Sequence, residues 1–189
     1  MTDASDAAKI FCIGLNKTGT ISLHQALTTL GFSSLHWGGP ASRQAVERAI
    51  REDKPLLEYL GEYDAYSDIQ RLSVNFEALD QQYPTSRFIL TTRDVEEWLD
   101  SRRRHVLRNR ERKARGEYDG TFIEIEPDRW RAQFVDHHQR VEEYFRGRDD
   151  LLVMRVTEGD GYEVLCPFLG VPTSTQPFPW SHKNTSISS

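Results

Sequence analysis

The amino-acid sequence predicts an α/β fold with three layers, in which a mostly parallel central sheet is flanked by helices. Short apolar runs, typical of strands that are covered on both faces, recur along the chain. Stretches with apolar residues at helical spacing lie between these runs, and this alternation is the pattern of βαβ units. The length of 189 residues is that of one domain, so we expect a single domain over residues 1–189.

The first strand and helix are joined by a turn that is suited to an anion. Residues 10–13 form a compact apolar run, Gly14 and Gly19 flank a turn, and helical spacing of apolar residues begins at Ser22. The free N–H groups and the positive dipole end of a helix N-terminus attract negative charge. Lys17 adds a full positive charge to this turn. The sequence therefore predicts a phosphate or sulfate site here.

This turn departs from the usual pattern of ATP-binding loops. Gly14-x-x-x-x-Gly19 fits the first six positions of G-x-x-x-x-G-K-[ST], but Thr20 and Ile21 take the places of the lysine and the hydroxyl residue, and the lysine lies at position 17. The hydroxyl that usually binds Mg²⁺ is thus missing from its place. The pattern favours a nucleotide held without a dedicated metal, and the alternative is a simple strand–turn–helix with a chance lysine.

Polar side chains also follow two later candidate strands. His36 lies at the end of a candidate strand over residues 33–37, and Asp68 ends a tyrosine-rich candidate over residues 63–68. Side chains at the carboxyl ends of strands face the ligand crevice of open α/β sheets. The alternatives are a histidine packed beside the adjacent tryptophan, and an aspartate that caps a helix predicted over residues 71–82.

A second strand-to-helix junction has the features of a terminal phosphate site. Residues 88–92 read as a strand, and Asp94-x-x-Glu97 resembles a capping box that opens a helix. Arg93 lies at the strand end, and Ser101 follows eight residues later on the helix. An arginine fork with a hydroxyl suits a terminal phosphate. The alternative is a surface arginine and a solvated serine.

The remaining elements are predicted from periodicity alone. They are helices over residues 42–53 (with Ser42 as the cap), 128–145 and 162–169, and a buried strand over residues 151–156. His137 and His138 lie on the second of these helices without a cysteine or aspartate at metal-ligand spacing, so we expect them to be core or surface residues.

A basic segment follows Ser101. Residues 102–115 contain eight arginines and lysines and one glutamate. One interpretation is a lid over the phosphates of a cofactor or a rim for an acidic acceptor. The other is a solvated helix end that leads into a mobile loop, so residues 102–127 are a candidate lid or insertion. We also expect residues 1–8 to be flexible.

Composition excludes several classes of function. The net charge of −5 argues against general nucleic-acid binding, and no apolar run is long enough to span a membrane. The first residues lack a basic n-region and an apolar h-region, so we expect no secretory signal. Cys12 and Cys166 lie in apolar surroundings and are expected to be buried thiols in a cytoplasmic protein.

The two junctions together resemble known motifs. Lys17-Thr-Gly-Thr-x-Ser22 is similar to the 5′-phosphosulfate-binding loop of sulfotransferases, and the spacing of Arg93 and Ser101 is similar to their 3′-phosphate motif. The resemblance implies a fold like that of P-loop nucleoside triphosphate hydrolases. It implies that 3′-phosphoadenosine 5′-phosphosulfate is the donor, adenosine 3′,5′-bisphosphate the product, and no metal is required. The acceptor would be a hydroxyl or amine on a small molecule or carbohydrate.

The same resemblance implies roles for individual residues. Lys17 would be catalytic, and the general base would be Asp68 or, alternatively, His36, since the histidine base motif of cytosolic arylsulfotransferases is absent. The implied donor-binding residues are Lys17, Thr18, Gly19, Thr20, Ile21, Ser22, Arg93, Ser101 and Lys183. A Mg-ATP-dependent kinase of small molecules or nucleotides, and a nucleotide-binding protein without catalysis, are the alternative functions.

Overall fold

The computed structural model describes residues 8–180, and its centre is a sheet of five parallel strands in the order β2-β3-β1-β4-β5. The strands are β1 (Ile10–Cys12), β2 (Ser34–His36), β3 (Ala65–Ser67), β4 (Arg87–Thr91) and β5 (Leu151–Met154). The helices are α1 (Thr20–Thr29), α2 (Gly39–Arg51), α3 (Gln70–Ser73), α4 (Phe76–Gln82), α5 (Val95–Ala114), α6 (Pro127–Tyr144) and α7 (Tyr162–Leu169), and a short 3-10 turn spans Val156–Glu158. This architecture confirms the predicted α/β class.

The helices cover both faces of the sheet because the strands alternate their buried side chains. In β1, Ile10 and Cys12 point to one face, where they pack with α1 and α7. Phe11 packs on the other face against α2, α3, α4 and α6. A third cluster joins α5 to α6 around Trp98 and includes Leu15 of the loop after β1. The three layers of the prediction are therefore present, and the third cluster ties the loop to α5.

The order of the strands fixes where a ligand can bind. The chain leaves β1 through α1 on one face, whereas it leaves β4 through α5 and α6, and α6 packs on the opposite face. Because β1 and β4 are neighbours, their connections diverge and leave a crevice at the carboxyl edge of the sheet. Crevices of this kind are the usual binding sites of open α/β sheets.

One predicted helix was wrong in its extent. The segment predicted as a single helix over residues 71–82 forms two short helices, α3 and α4, with a break at Val74 and Asn75. The Asn75 side-chain amide donates to the Arg71 carbonyl at 2.7 Å. An asparagine that binds nearby backbone competes with the helical ladder, and this accounts for the break.

Two other predictions about helix ends are settled by the structure. Ser42 was predicted to cap α2, but the N-cap is Gly38 and Ser42 lies within the helix, because Pro40 already fits the first turn. The basic segment continues α5 as regular helix to Ala114, so its first part is helical, and the lid or insertion over residues 102–127 stays a prediction. The prediction that Asp94 begins α5 is confirmed, since its carboxylate accepts from the N–H groups of Glu96 and Glu97.

Candidate active site

The loop after β1 fits against β4 only because Gly14 has no side chain. A Cβ atom at Gly14 would lie 2.0 Å from Thr91 Oγ1 and 2.5 Å from the Thr91 carbonyl oxygen. The buried Thr18 hydroxyl approaches the same threonine at 2.6 Å and donates to the Leu15 carbonyl at 2.5 Å. The hydroxyl of Thr18 is thus engaged inside the fold, and only its backbone N–H remains suited to a ligand.

Side chains from α5 and α6 support the carbonyl groups of this loop. His137 Nε2 donates to the Ile13 carbonyl at 2.8 Å, and Trp98 Nε1 donates to the Asn16 carbonyl at 2.8 Å. Both donors are buried. These bonds satisfy loop carbonyls that no strand or helix pairs, so the loop is held in one shape. His137 is a core residue, as predicted, but its part in holding the loop was not foreseen.

Arg102 places a buried positive charge directly beneath the loop. Its guanidinium donates to Asn16 Oδ1 at 3.1 Å and lies over three aromatic rings, at 4.8 Å from Trp98, 4.9 Å from Phe122 and 4.9 Å from Trp130. Burial lowers the pKa of Arg102 to about 10, so the group stays charged at neutral pH. The cation–π contacts and the single hydrogen bond offset part of the desolvation cost.

The N-terminus of α1 is the centre of the anion site. Gly19 is the N-cap with φ 100°, and a Cβ there would lie 2.7 Å from Val156 Cβ. Within residues 8–180, no backbone carbonyl accepts from the N–H groups of Gly19, Thr20 or Ile21. These donors and the helix dipole converge on one point, as in other phosphate sites.

Arg93 brings the second predicted phosphate site next to the first. Its Nη1 lies 3.4 Å from the Lys17 carbonyl oxygen and its Nη2 donates to Glu97 Oε2 at 2.6 Å. The side chain is only 12% exposed, and its buried Nε has no partner within the described residues. An unpaired buried donor on a charged group is costly, so this atom is suited to an anionic ligand. Ser101 is half-buried two turns along α5.

His36 and Asp68 face each other at the ends of β2 and β3. His36 Nε2 lies 3.7 Å from Asp68 Oδ2, and His36 Nδ1 is 2.9 Å from Ser67 Oγ. Burial, His24 and Lys17 lower the pKa of His36 to about 4, so its ring is neutral. Burial raises the pKa of Asp68 to about 6 although Lys17 opposes the shift.

Asp68 is not a helix cap. The N-cap of α3 is Ile69, and no side chain caps that helix. The alternative interpretation of Asp68 was therefore wrong, and its carboxylate lies beside His36. Because Lys17 acts on the pKa of both residues, the pair lies within electrostatic reach of the phosphate-binding loop.

Backbone strain is concentrated at this edge of the sheet. Four residues other than glycine have positive φ in residues 8–180, and three of them lie here: Lys17 at 69°, Trp37 at 60° and Asp68 at 57°. Each such residue costs about 1–3 kcal/mol, and such strain clusters at functional sites. Across the strand order, the edge carries His36 and Trp37 at the end of β2, Asp68 after β3, Lys17 in the loop after β1 and Arg93 after β4. At about 4.8 Å between strands, this row spans about 14 Å.

The basic segment of α5 contributes charge to the site. Burial lowers the pKa of Lys17, and Arg108 and Arg102 lower it further, whereas Asp68 raises it. Arg108 therefore lies within electrostatic reach of Lys17. Lys17, Arg108 and Arg102 also join burial in lowering the pKa of His105 to about 4. The segment thus adds positive charge near Lys17 in a chain whose net charge is −5.

The structure brings most of the predicted residues to one edge of the sheet. Lys17, the N-terminus of α1, Arg93, Asp68 and His36 all lie there, and Lys183 falls outside the described residues. Sequence reasoning missed the supporting groups Trp98, Arg102 and His137. Trp98 and Arg102 are four residues apart on α5. This helical spacing is the only signal in the sequence that could have indicated that they share a face.

Other groups in the described part of the chain play no evident role in the chemistry. Cys12 and Cys166 are free and buried, as predicted, and burial raises the pKa of the Cys12 thiol to about 12. Residues 8–180 hold no group of three or more histidine, cysteine, aspartate or glutamate side chains arranged for a metal ion. None of the helices described is long and apolar enough to span a membrane.

A parallel sheet with a glycine turn, an open helix N-terminus and cationic side chains at its carboxyl edge is the arrangement expected of an α/β protein with an anion site. The family model described as "Sulfotransferase domain" matches residues 9–120 and 114–187, which is nearly the whole chain. The chain therefore belongs to the sulfotransferase family and is an enzyme of the sulfotransferase class, with the P-loop-like fold of that family.

Individual relatives agree with this assignment. The chain is 27% identical over 209 residues to "Ava biosynthesis cluster protein M" from Aspergillus versicolor, covering 90% of this chain and 79% of the relative. Among solved structures, it resembles a sulfotransferase from Alicyclobacillus acidocaldarius, with a TM-score of 0.58, 15% identity and coverage of 94% of this chain and 87% of that one. At that identity the structural likeness concerns the fold.

Substitution of Asp68 by asparagine is expected to stabilise the protein at neutral and higher pH. A carboxyl group whose pKa is raised from 3.8 to about 6 on folding destabilises the fold once it ionises, fully above about pH 6 and not at all below its unfolded pKa. D68N should therefore raise the free energy of unfolding by about 1–3 kcal/mol at pH 8, and the gain should shrink as the pH falls towards 4. Urea unfolding at both pH values measures the difference.

Asp64 provides the matched control with the opposite sign. Hydrogen bonds from Ser33 lower the pKa of Asp64, so D64N should reduce stability at pH 8. Equal stability of wild type and D68N at pH 8 would contradict the strained, desolvated environment of Asp68.

Proposed function

We propose that the protein transfers a sulfuryl group from 3′-phosphoadenosine 5′-phosphosulfate to a hydroxyl or amine of a small-molecule or carbohydrate acceptor. The observation that supports the proposal is the contact of Arg93 with the Lys17 carbonyl, because it brings the two candidate phosphate sites next to each other. A donor with phosphate groups at both the 3′ and the 5′ positions of one ribose needs such a pair. The donor, when bound, supplies the sulfuryl group and a phosphate leaving group.

The loop after β1 fits the 5′ end of this donor. The unpaired N–H groups at the start of α1, the hydroxyls of Thr20 and Ser22, and the Lys17 ammonium group are all suited to a phosphosulfate. These groups are held before the ligand arrives, so they can stabilise negative charge that develops on the leaving phosphate without reorganising. Lys17 would thus both bind the donor and act in the reaction.

The 3′-phosphate is assigned to Arg93 and Ser101. The unpaired Nε of Arg93 is a ready donor, and Glu97 holds the other side of the guanidinium. Ser101 lies two turns further along the same helix, and Lys183 stays a prediction as a third contact. ATP has no 3′-phosphate, so this second site favours the phosphosulfate donor over ATP and a kinase reaction.

Asp68 is the better candidate for the general base. The efficiency of a base is greatest when its pKa lies near the working pH, and the pKa of Asp68 is about 6 whereas that of His36 is about 4. At neutral pH, Asp68 is ionised and can take the proton of the acceptor, a role worth about 10²–10⁴ in rate. His36, whose Nε2 lies 3.7 Å from Asp68 Oδ2, would keep the carboxylate in place.

The relative from Aspergillus versicolor is named for a biosynthesis cluster, which agrees with a small-molecule acceptor. A cytoplasmic location stays a prediction, and two buried free thiols are compatible with a reducing compartment.

A comparison of nucleotides tests the donor. We expect a saturating concentration of adenosine 3′,5′-bisphosphate, at about 100 times its Kd, to raise the thermal midpoint by about 5–10 °C. ATP with Mg²⁺ should raise it less. Transfer of labelled sulfate to a panel of alcohols and amines then separates an enzyme from a silent nucleotide-binding protein. A larger shift with ATP and Mg²⁺ would instead support a kinase.

Lys17→Ala should lower kcat by about 10²–10³ or more, because one preorganised donor to a developing oxyanion is worth about 3–4 kcal/mol. Labelled sulfate transfer measures the loss. Lys54→Ala, an exposed lysine after α2, is the matched control and should leave turnover unchanged. Activity like that of the wild type in Lys17→Ala would refute the catalytic role of the loop.

Arg93→Ala should chiefly weaken donor binding, raising the Kd of adenosine 3′,5′-bisphosphate by about 10–100-fold, since a hydrogen bond to a charged group is worth about 1.5–3 kcal/mol. Calorimetric titration measures this Kd. Arg93→Lys should recover only part of the affinity, because lysine lacks the fork. Arg104→Ala removes an exposed arginine that pairs with Asp100 and serves as the control. An unchanged Kd in Arg93→Ala would rule out the second phosphate site.

A further inference from the structure

The most exposed of the large apolar side chains in residues 8–180 stands at the end of the candidate site. Trp37 is 60% exposed. The aromatic side chains of Trp98 and Tyr66, in contrast, are buried in the core. We infer that Trp37 is the platform on which the acceptor stacks, and that the acceptor therefore presents a flat ring face, either an aromatic ring or the C–H face of a sugar. This inference rests on the proposed function.

The backbone holds Trp37 in a conformation that bulky residues avoid. Its φ is 60°, and the N–H of Gly38 donates to the His36 carbonyl at 2.7 Å, which makes Trp37 the centre of a classic γ-turn. That turn is rare and strained, and positive φ is a genuine outlier for an aromatic residue. The exposed ring adds no packing to the core clusters. Strain without a packing benefit is characteristic of a residue that contacts a ligand.

Hydrogen bonds place Trp37 next to the residues that would carry out the reaction. The Trp37 N–H donates to the Ser67 carbonyl at 2.8 Å, and Ser67 directly precedes Asp68. The preceding residue, His36, lies 3.7 Å from Asp68. Trp37 is therefore anchored to the same two strand ends as the candidate base.

The order of the strands assigns Trp37 to the acceptor and not to the donor. Arg93 and Lys17 lie over β4 and β1, whereas Trp37 follows β2 at the edge of the sheet, with Asp68 of β3 between them. An acceptor hydroxyl bound at Asp68 would have the donor on the side of β1 and β4. The rest of the acceptor would then extend to the opposite side, towards Trp37. Tryptophan presents a wide apolar face that suits ring systems.

Substitution of Trp37 tests this role with defined acceptors and the phosphosulfate donor. The probes are 2-naphthol, methyl β-glucoside and 1-butanol. Trp37→Ala should lower kcat/KM for whichever ring probe the enzyme uses by about tenfold or more, mainly through KM, because one stacking contact is lost. Trp37→Phe should keep most of the activity, and turnover of 1-butanol should change less than threefold.

Two controls separate stacking from folding. Trp37→Gly removes the ring and relieves the strained φ, so it should lose the ring acceptors while its thermal midpoint equals or exceeds that of the wild type. Ile50→Ala removes an exposed apolar side chain on α2 and should change neither property. Adenosine 3′,5′-bisphosphate should bind all these variants with the same Kd. An equal loss for ring and aliphatic acceptors, or no loss at all in Trp37→Ala, overturns the inference.

A binding measurement keeps the test decisive when none of the three probes is turned over. In the presence of adenosine 3′,5′-bisphosphate, 2-naphthol or methyl β-glucoside should bind to the wild type and bind at least tenfold more weakly to Trp37→Ala, as detected by saturation-transfer NMR. Equal binding to both proteins, or binding of neither probe to the wild type, overturns the platform. Failure of the nucleotide itself to bind contradicts the proposed function instead.

Discussion

The rigidity of the loop after β1 is the constraint on which the rest of the site depends. Its carbonyl groups at Ile13 and Asn16 accept hydrogen bonds from side chains of α6 and α5, and the Lys17 carbonyl accepts one from Arg93 between β4 and α5. A buried polar group left without its partner costs about 1–3 kcal/mol, so the loop has little freedom to relax. The inward carbonyls leave the N–H groups at the start of α1 directed outward. The candidate anion site is therefore held in shape by the protein alone.

Charge in the site comes from groups that the fold keeps out of water. Arg102 is buried among aromatic rings, and the side chain of Arg93 is only 12% exposed. Together with Lys17 they create a local positive potential in a chain whose net charge is −5. The desolvated surroundings strengthen each interaction with an anion, and the same desolvation raises the pKa of Asp68 towards the working range of a base.

The sheet lets strained residues persist at its carboxyl edge. Trp37 and Asp68 adopt positive φ directly after short strands that are fixed by parallel neighbours, and Lys17 does so in the loop after β1. The core clusters on both faces of the sheet hold these strand ends, so the packing free energy of the core offsets the backbone strain. The result is a row of functional groups whose order follows the order of the strands and not the order of the sequence.

The sequence by itself determined the α/β class, the glycine turn with Lys17, the junction at Arg93 and the cap at Asp94, because each depends on residues close together in the chain. The periodicity of apolar residues did not predict the break in the helix over residues 71–82, because that break depends on a single asparagine side chain. Only the tertiary structure decided that His137 supports Ile13, 124 positions away, and that His36 faces Asp68. Such contacts follow from strand order and helix packing, which local patterns of hydrophobicity leave open.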